Sequence, residues 1–272
     1  MVKPGEIQKI ANRLGVRDSQ IEKDYVIGWV LKGISNNDYL KKKLIFKGGT
    51  AIRKIYISDY RLSEDLDFTY NGEDCDTIKI KTHFEELIQF LKGESRITLN
   101  IQDEKIYQSG NYNFYLGYTG PLGAANTSRS IKVDIANDEL LCNDPVEMKV
   151  NNEYSDLNDE FRIMNYTIGE IISEKMRSLM QRTMPRDLYD VWYLFEKKNY
   201  KIEDYLIDFK KKTEFKNLDP NELTETILGK NEIFKRQWEN HLVNQVKEIP
   251  DFDEVWRTLG KQWRKLDKII KK

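Results

Sequence analysis

Apolar residues recur at helical spacing through the first forty positions of the chain. Ile7, Ile10, Ala11 and Leu14 share one face of a short helix. Asp18 or Ser19 can cap a second helix, with Ile21, Tyr25, Ile27, Trp29 and Leu31 supplying its apolar surface. Leu44 to Phe46 is a short apolar run, as a buried strand requires, and it leads into Gly48-Gly49. Thr50 to Ile57 then predicts a helix with Ala51, Ile52 and Ile55 inward, and Leu66 to Tyr70 the next strand.

Asp76 to Leu91 predicts a longer helix. Ile80, Phe84, Leu87, Ile88 and Leu91 return at helical spacing, and Gly93 is the expected terminator. Three strands are expected after it, at Arg96 to Ile101, Asn111 to Tyr118 and Ser130 to Ile135. The second alternates Tyr112, Phe114, Leu116 and Tyr118, which suits a half-buried strand. Gly117 to Asn126 reads as loop. From Thr167 onward the pattern is helical, with i, i+3, i+4 spacing in Ile171 to Met180, Leu188 to Phe195 and Ile202 to Phe209. The expected division is therefore an α/β lobe over 1–160, with a mostly antiparallel or mixed sheet, and a helical lobe over 161–272. No internal repeat or low-complexity segment interrupts it.

Two polar features break this pattern where chemistry is possible. Gly48-Gly49 ends a strand and opens a helix, so backbone can approach a ligand and free N–H groups face an anion, with the Thr50 hydroxyl as a further donor. An ordinary strand-to-helix turn has the same look. Asp65 and Asp67 lie two apart on an extended run, hence on one face, while Leu66 and Phe68 point the other way. Two carboxylates that close resist joint ionisation unless a cation lies between them, and an all-oxygen ligand set favours Mg2+ or Mn2+. The plain alternative is two solvated acids at a strand end. Together the two features could grip the phosphates and metal of a nucleoside triphosphate.

Further candidates follow downstream. In Ile131-Lys132-Val133-Asp134-Ile135 the apolar residues share one face, which leaves Asp134 on the other. It could be a third metal ligand, a base for an attacking hydroxyl, or a surface acid opposite Lys132. Lys175, beside Glu174 on a helix over Thr167 to Arg182, sits at the edge of the apolar side formed by Ile171, Ile172, Met176, Leu179 and Met180. It could reach a triphosphate or be a paired surface lysine. Pro185 is placed to start a helix on which Asp187 and Asp190 share a face. These acids suit the helix dipole, or else face a cleft where Arg186 meets phosphate and an aspartate orients Lys175.

Composition narrows the setting. The 272 residues are 39% apolar and 33% charged with a formal net charge of −1, so the whole molecule is no general attractor of nucleic acid. The basic clusters Lys41 to Lys43, Lys210 to Lys212 and Lys261 to Lys272 read first as solvated faces or frayed ends. Two cysteines (Cys75, Cys142) and two histidines (His83, His241) argue against a disulfide framework and a zinc site, and His83 is expected on a helix surface. No apolar run approaches a membrane span and the N-terminus has no signal-peptide core, so a cytoplasmic location is expected.

These stretches together resemble the AbiEii/AbiGii toxin family of nucleotidyltransferases, within the DNA polymerase β-like superfamily. The matching pieces are Ile21-Glu22-Lys23-Asp24-Tyr25-Val26, Phe46-Lys47-Gly48-Gly49-Thr50-Ala51, Arg61-Leu62-Ser63-Glu64-Asp65-Leu66-Asp67-Phe68, Lys132-Val133-Asp134-Ile135, Glu174-Lys175 and Arg186-Asp187-Leu188-Tyr189-Asp190. The interval from Gly49 to Asp65 is longer than the compact superfamily pattern. The resemblance implies an α+β fold: a polymerase β-like lobe with a mixed sheet flanked by helices, plus a C-terminal helical lobe. It implies a metal pair at Asp65 and Asp67 with Ser63 lining the nucleotide site beside them; Gly48, Gly49, Thr50, Arg61 and Arg186 are the other expected nucleotide-binding residues. Lys175 would contact the triphosphate, and either Asp187 or Asp190 would complete the polar site. It also implies Mg2+ or Mn2+, a nucleoside triphosphate, an RNA acceptor such as the tRNA 3′ end, and a cognate antitoxin in a toxin–antitoxin or phage-defence system. A small molecule or protein side chain as acceptor, or nucleotide binding without transfer, are the competing expectations.

Overall fold

The computed structural model describes residues 1–73, 75–123 and 129–270. Part of the loop expected over Gly117 to Asn126, and the last two lysines of the basic tail, lie outside the described residues. The chain forms two compact units. The first holds Met1–Glu139, Pro145–Tyr166 and Asn244–Lys247; the second holds Leu140–Asp144, Thr167–Val243 and Glu248–Lys272.

The first unit opens with helices α1 (Pro4–Leu14), α2 (Asp18–Asn36) and α3 (Asp38–Lys43). Strand β1 (Leu44–Lys47) runs directly into α4 (Gly48–Ala51), which continues as a wider π-helical turn over Ile52–Tyr56. Then come β2 (Leu66–Tyr70), α5 (Thr77–Glu94), β3 (Thr98–Ile106), β4 (Tyr112–Thr119), β5 (Ser130–Ala136), β6 (Val146–Lys149) and β7 (Arg162–Asn165). These form a seven-stranded sheet ordered β3-β4-β5-β2-β1-β7-β6 among the described residues. It is mixed: β2 with β5 and β1 with β7 pair parallel, and the other neighbours pair antiparallel.

Period-two alternation decides which face is buried. Ile131, Val133 and Ile135 of β5 and Tyr112, Phe114, Leu116 and Tyr118 of β4 are buried. So is the apolar stripe of α5, and Phe84 meets Phe114 edge-to-face at 4.9 Å. On β2, Leu66 and Phe68 are buried and Asp67 between them is half-buried. Phe68 packs on Phe46 at 5.4 Å. The sheet therefore has an apolar face toward α5, and the acids point the other way.

Several local expectations shift. Arg17, not Asp18 or Ser19, precedes the first turn of α2, and its N–H is taken by the Gln20 side chain at 3.2 Å. Gly93 does not stop α5; it lies inside the helix, and Arg96 at φ 63° makes the reversal. Asp76 does cap that helix, accepting from the Lys79 N–H at 3.0 Å. The helix expected from Thr50 begins at Gly48 itself. Strand β3 extends to Ile106, and β6 and β7 carry no alternation strong enough to see in sequence.

The second unit contains α6 (Ile168–Gln181), α7 (Pro185–Trp192) continued by a wide turn over Tyr193–Lys197, α8 (Leu206–Phe215), α9 (Leu223–Leu228), α10 (Asn231–Leu242) and α11 (Phe252–Ile270). Lys212 corrects the expectation of a solvated basic cluster: its ammonium is buried against Glu170 at 2.5 Å. A buried carboxylate needs such a partner, and Glu170 also accepts the N–H groups of Cys142 and Asn143.

Candidate active site

Strand register assembles the polar face of the first unit. Lys47 pairs with Asp67, Asp67 with Asp134, and Asp134 with Asn113, forming one row across β1, β2, β5 and β4. Directly opposed residues project to the same side of a sheet. Asp67 and Asp134 are thus neighbours, as the alternation in β5 anticipated. Asp65 lies two residues before Asp67, and its carbonyl accepts the Thr50 hydroxyl at 2.5 Å. Thr50 is buried and ties the helix start to the carboxylate strand, so its proton is directed at Asp65 rather than at a phosphate.

The glycine bend touches this row. Gly48 has φ +79°, in the left-handed region, and a Cβ placed on it would come within 2.3 Å of Asp67 Oδ2. At Gly49 a Cβ would lie 2.8 Å from Arg61 Nη2 and 3.2 Å from Ser63 Oγ. Each glycine therefore makes room for a polar side chain of the loop or strand that follows. The long interval between Gly49 and Asp65 is used in this way: it folds back and sets Arg61 and Ser63 against the bend. Arg61 is buried and held by Gln245, Nη1 to Oε1 at 2.9 Å, while Leu62 N–H donates to the Gln245 carbonyl at 2.8 Å.

A second brace lies behind the bend. Asp24 of α2 is buried and receives Lys54 Nζ at 2.6 Å, Arg53 Nε at 3.2 Å and the Tyr154 hydroxyl at 2.8 Å. Burial alone would raise the Asp24 pKa, but Lys54 and Arg53 more than offset it and hold the carboxyl well below the usual range. Arg53 and Lys54 belong to the turn that continues α4. Asp24 thus anchors the segment that begins with the two glycines.

Asp134 has a close partner of its own. Lys132 Nζ donates to its Oδ2 at 2.7 Å, while Oδ1 is buried without a hydrogen bond. No three His, Cys, Asp or Glu side chains among the described residues converge as a metal cluster. What fits a divalent ion here is the Asp65/Asp67 carboxylate pair beside the glycine bend, in an all-oxygen donor set.

In the second unit Lys175 is buried, not a surface lysine. Its Nζ meets Asp187 Oδ1 at 2.6 Å and Asp190 Oδ2 at 2.9 Å, with both aspartates buried on α7. Pro185 opens α7 as expected. Arg182 Nε donates to Asp187 Oδ2 at 2.7 Å, a role not foreseen for it, whereas Arg186 is half-buried on the first turn of α7. Burial would raise the Asp187 pKa, yet Lys175 and Arg182 lower it below the ordinary value.

A family profile described as nucleotidyl transferase AbiEii toxin, type IV toxin–antitoxin system, matches residues 29–258. The chain belongs to the AbiEii nucleotidyltransferase toxin family. The AbiEii assignment makes it a nucleotidyltransferase, with a nucleoside triphosphate as substrate and a cognate antitoxin as expected partner. Solved structures share the fold. MenT4, a nucleotidyltransferase toxin of Mycobacterium tuberculosis, superposes with TM-score 0.71 at 15% identity, over 98% of this chain and 90% of that one. JHP933 of Helicobacter pylori superposes with TM-score 0.61 at 18% identity, over 94% and 95%. No curated protein compared with it matches.

Within this AbiEii fold, some polar groups of the site had no signal in sequence. Lys47 is buried on the Asp67 row, over the Tyr166 ring at 5.5 Å. Only its place immediately before Gly48-Gly49 marked it. Gln245 lies 184 residues from Arg61 in a stretch with no motif.

Proposed function

We propose that this AbiEii-family enzyme moves a nucleoside monophosphate from a nucleoside triphosphate onto an RNA acceptor, the tRNA 3′ end. It would do so with Mg2+ or Mn2+ held by Asp65 and Asp67. The observation that carries the reading is the carboxylate of Asp67 lying against Gly48, with Asp65 two residues before it. A metal on that pair would neutralise charge on the reacting phosphate. The glycine bend presents backbone N–H groups to phosphate oxygens, and Arg61 and Ser63 add donors fixed at Gly49. Lys175, clamped by two carboxylates, is assigned the triphosphate charge by the family resemblance. Asp134, level with Asp67 on the neighbouring strand, is the group we assign to orient the attacking hydroxyl and take its proton. The α-phosphorus–oxygen bond to pyrophosphate breaks as the bond to the acceptor forms.

The toxin family supports an acceptor whose loss would stop growth, and tRNA meets that description. Tyr107 is exposed, as stacking on an unpaired base requires, and Lys211 is exposed to meet phosphate. The proposal includes a cytoplasmic setting and a role in phage defence. Among the described residues no helix is long and apolar enough to cross a membrane.

The test uses purified protein, Mg2+, total RNA and each of four α-32P nucleoside triphosphates. Wild type is expected to label a band of tRNA size, and Asp65→Ala to give none. Equal labelling by both proteins overturns the site. Label on protein or on a small molecule retains the site and changes the acceptor.

A further inference from the structure

Lys132 places a positive charge inside the acidic cluster. It shares the polar side of β5 with Asp134, two residues apart, and its Nζ lies 2.7 Å from Asp134 Oδ2. The parallel pair Leu66 with Val133, continued one step back, brings Asp65 level with Lys132. The ion pair with Asp134 gives the ammonium a fixed place on the acidic side of the sheet. Its neighbours across the row are accounted for: Tyr115 is its partner on β4, and Asn113 is the partner of Asp134.

An enzyme of this chemistry needs positive charge at two places, near the departing and near the attacking oxygen. The Asp65/Asp67 pair provides for one ion. At the other place Asp134 is already engaged by Lys132, and no three acids among the described residues converge. A second divalent ion at Asp134 would have to displace the ammonium or sit beside it, against like-charge repulsion. We infer that Lys132 takes the place of the second divalent ion, so that one ion per chain suffices and Asp134 is held for the acceptor by a side chain of the protein. This rests on the transfer reading above. Lys132 is thus a positioning residue that acts through Asp134.

The experiment counts ions rather than turnover. Mn2+ is titrated into the full chain with one equivalent of a non-hydrolysable α,β-methylene nucleoside triphosphate, and bound ion is followed by loss of the free-Mn2+ EPR signal. Wild type is expected to bind one ion per chain, as is Lys132→Arg. Lys132→Met is expected to bind a second, at least about tenfold tighter than any second ion in wild type. Two ions of similar affinity in wild type, or a single ion in Lys132→Met, would overturn the inference while leaving the transfer reading intact. Asp67→Asn is the separate control. If it holds the metal–nucleotide complex as wild type does, the proposed metal pair fails and the inference with it.

Discussion

The Asp67 carboxylate occupies the space where Gly48 would carry a side chain. A methyl group there would sit 2.3 Å from Oδ2, and the φ of +79° would be strained for any residue with a Cβ. Gly48→Ala is therefore expected to push Asp67 off its row and cost about 1–3 kcal/mol in stability. Nucleotide transfer should fall by about a hundredfold or more, more than the stability loss explains, since a small misplacement suffices. Transfer assays beside chemical denaturation check this. Unchanged transfer would show that the contact is incidental.

Asp24 should be worth more to the fold than a surface acid. Asp24→Asn leaves Lys54 and Arg53 as buried cations with only a neutral amide, a change that typically costs about 3–5 kcal/mol. Tyr154→Phe removes one hydrogen bond from the same group and should cost only about 1–2 kcal/mol. Urea unfolding of the two variants gives the comparison, and equal losses would mean the charge pair is not the main term.

Acid should weaken the protein through the same residues. Asp24 and Asp187 have pKa values below the ordinary 3.8 in the folded chain. Between the folded and ordinary values the unfolded chain binds more protons, so stability drops as pH falls. The contribution is complete at neutral pH and is lost from about pH 5 downward. Unfolding free energy measured from pH 7 to pH 3 should show this slope, and Asp24→Asn should flatten it. A slope identical to wild type in that variant would contradict the assignment.

Lys175 separates structure from chemistry. Lys175→Met takes the shared ammonium from the buried Asp187 and Asp190, leaving Asp187 with Arg182, and should destabilise by about 3–5 kcal/mol. Adding Asp187→Asn removes one of those charges and should recover part of the stability. Transfer should stay at least about a hundredfold down in both variants, because the cation is missing from each. Recovery of transfer together with stability would make Lys175 purely structural.

Much of this architecture was legible because its signals are local. Asp65 and Asp67 stand out against Leu66 and Phe68 by strand alternation, and Asp134 stands out against Ile131, Val133 and Ile135 in the same way. Gly48-Gly49 announced a close approach, though not that the approaching group would be a carboxylate. The unforeseen parts depend on distant partners. Strands β6 and β7 exist through pairing, not propensity. The Lys132 reach to Asp134, the Arg182 bond to Asp187 and the burial of Lys212 against Glu170 are choices of partner that charge patterns leave open. Gly93 could lie inside α5 because the helix packs on β3 and the reversal falls to Arg96.

Gln245→Ala should loosen Arg61. A hydrogen bond to a charged group contributes about 1.5–3 kcal/mol, so KM for the nucleotide should rise while kcat changes less. Initial-rate kinetics over a range of nucleotide concentrations would show a matching fall in kcat if the brace serves catalysis rather than binding.

The same brace bears on biosynthesis. Because Gln245 follows Arg61 by 184 residues, a ribosome must add that whole stretch before the guanidinium of Arg61 finds its support. An aborted polypeptide ending ahead of that glutamine would carry Asp65, Asp67 and Asp134 yet lack the strut that holds Arg61. Termination before Gln245 would thus release a blunted toxin, and full harm would await the arrival of that one side chain.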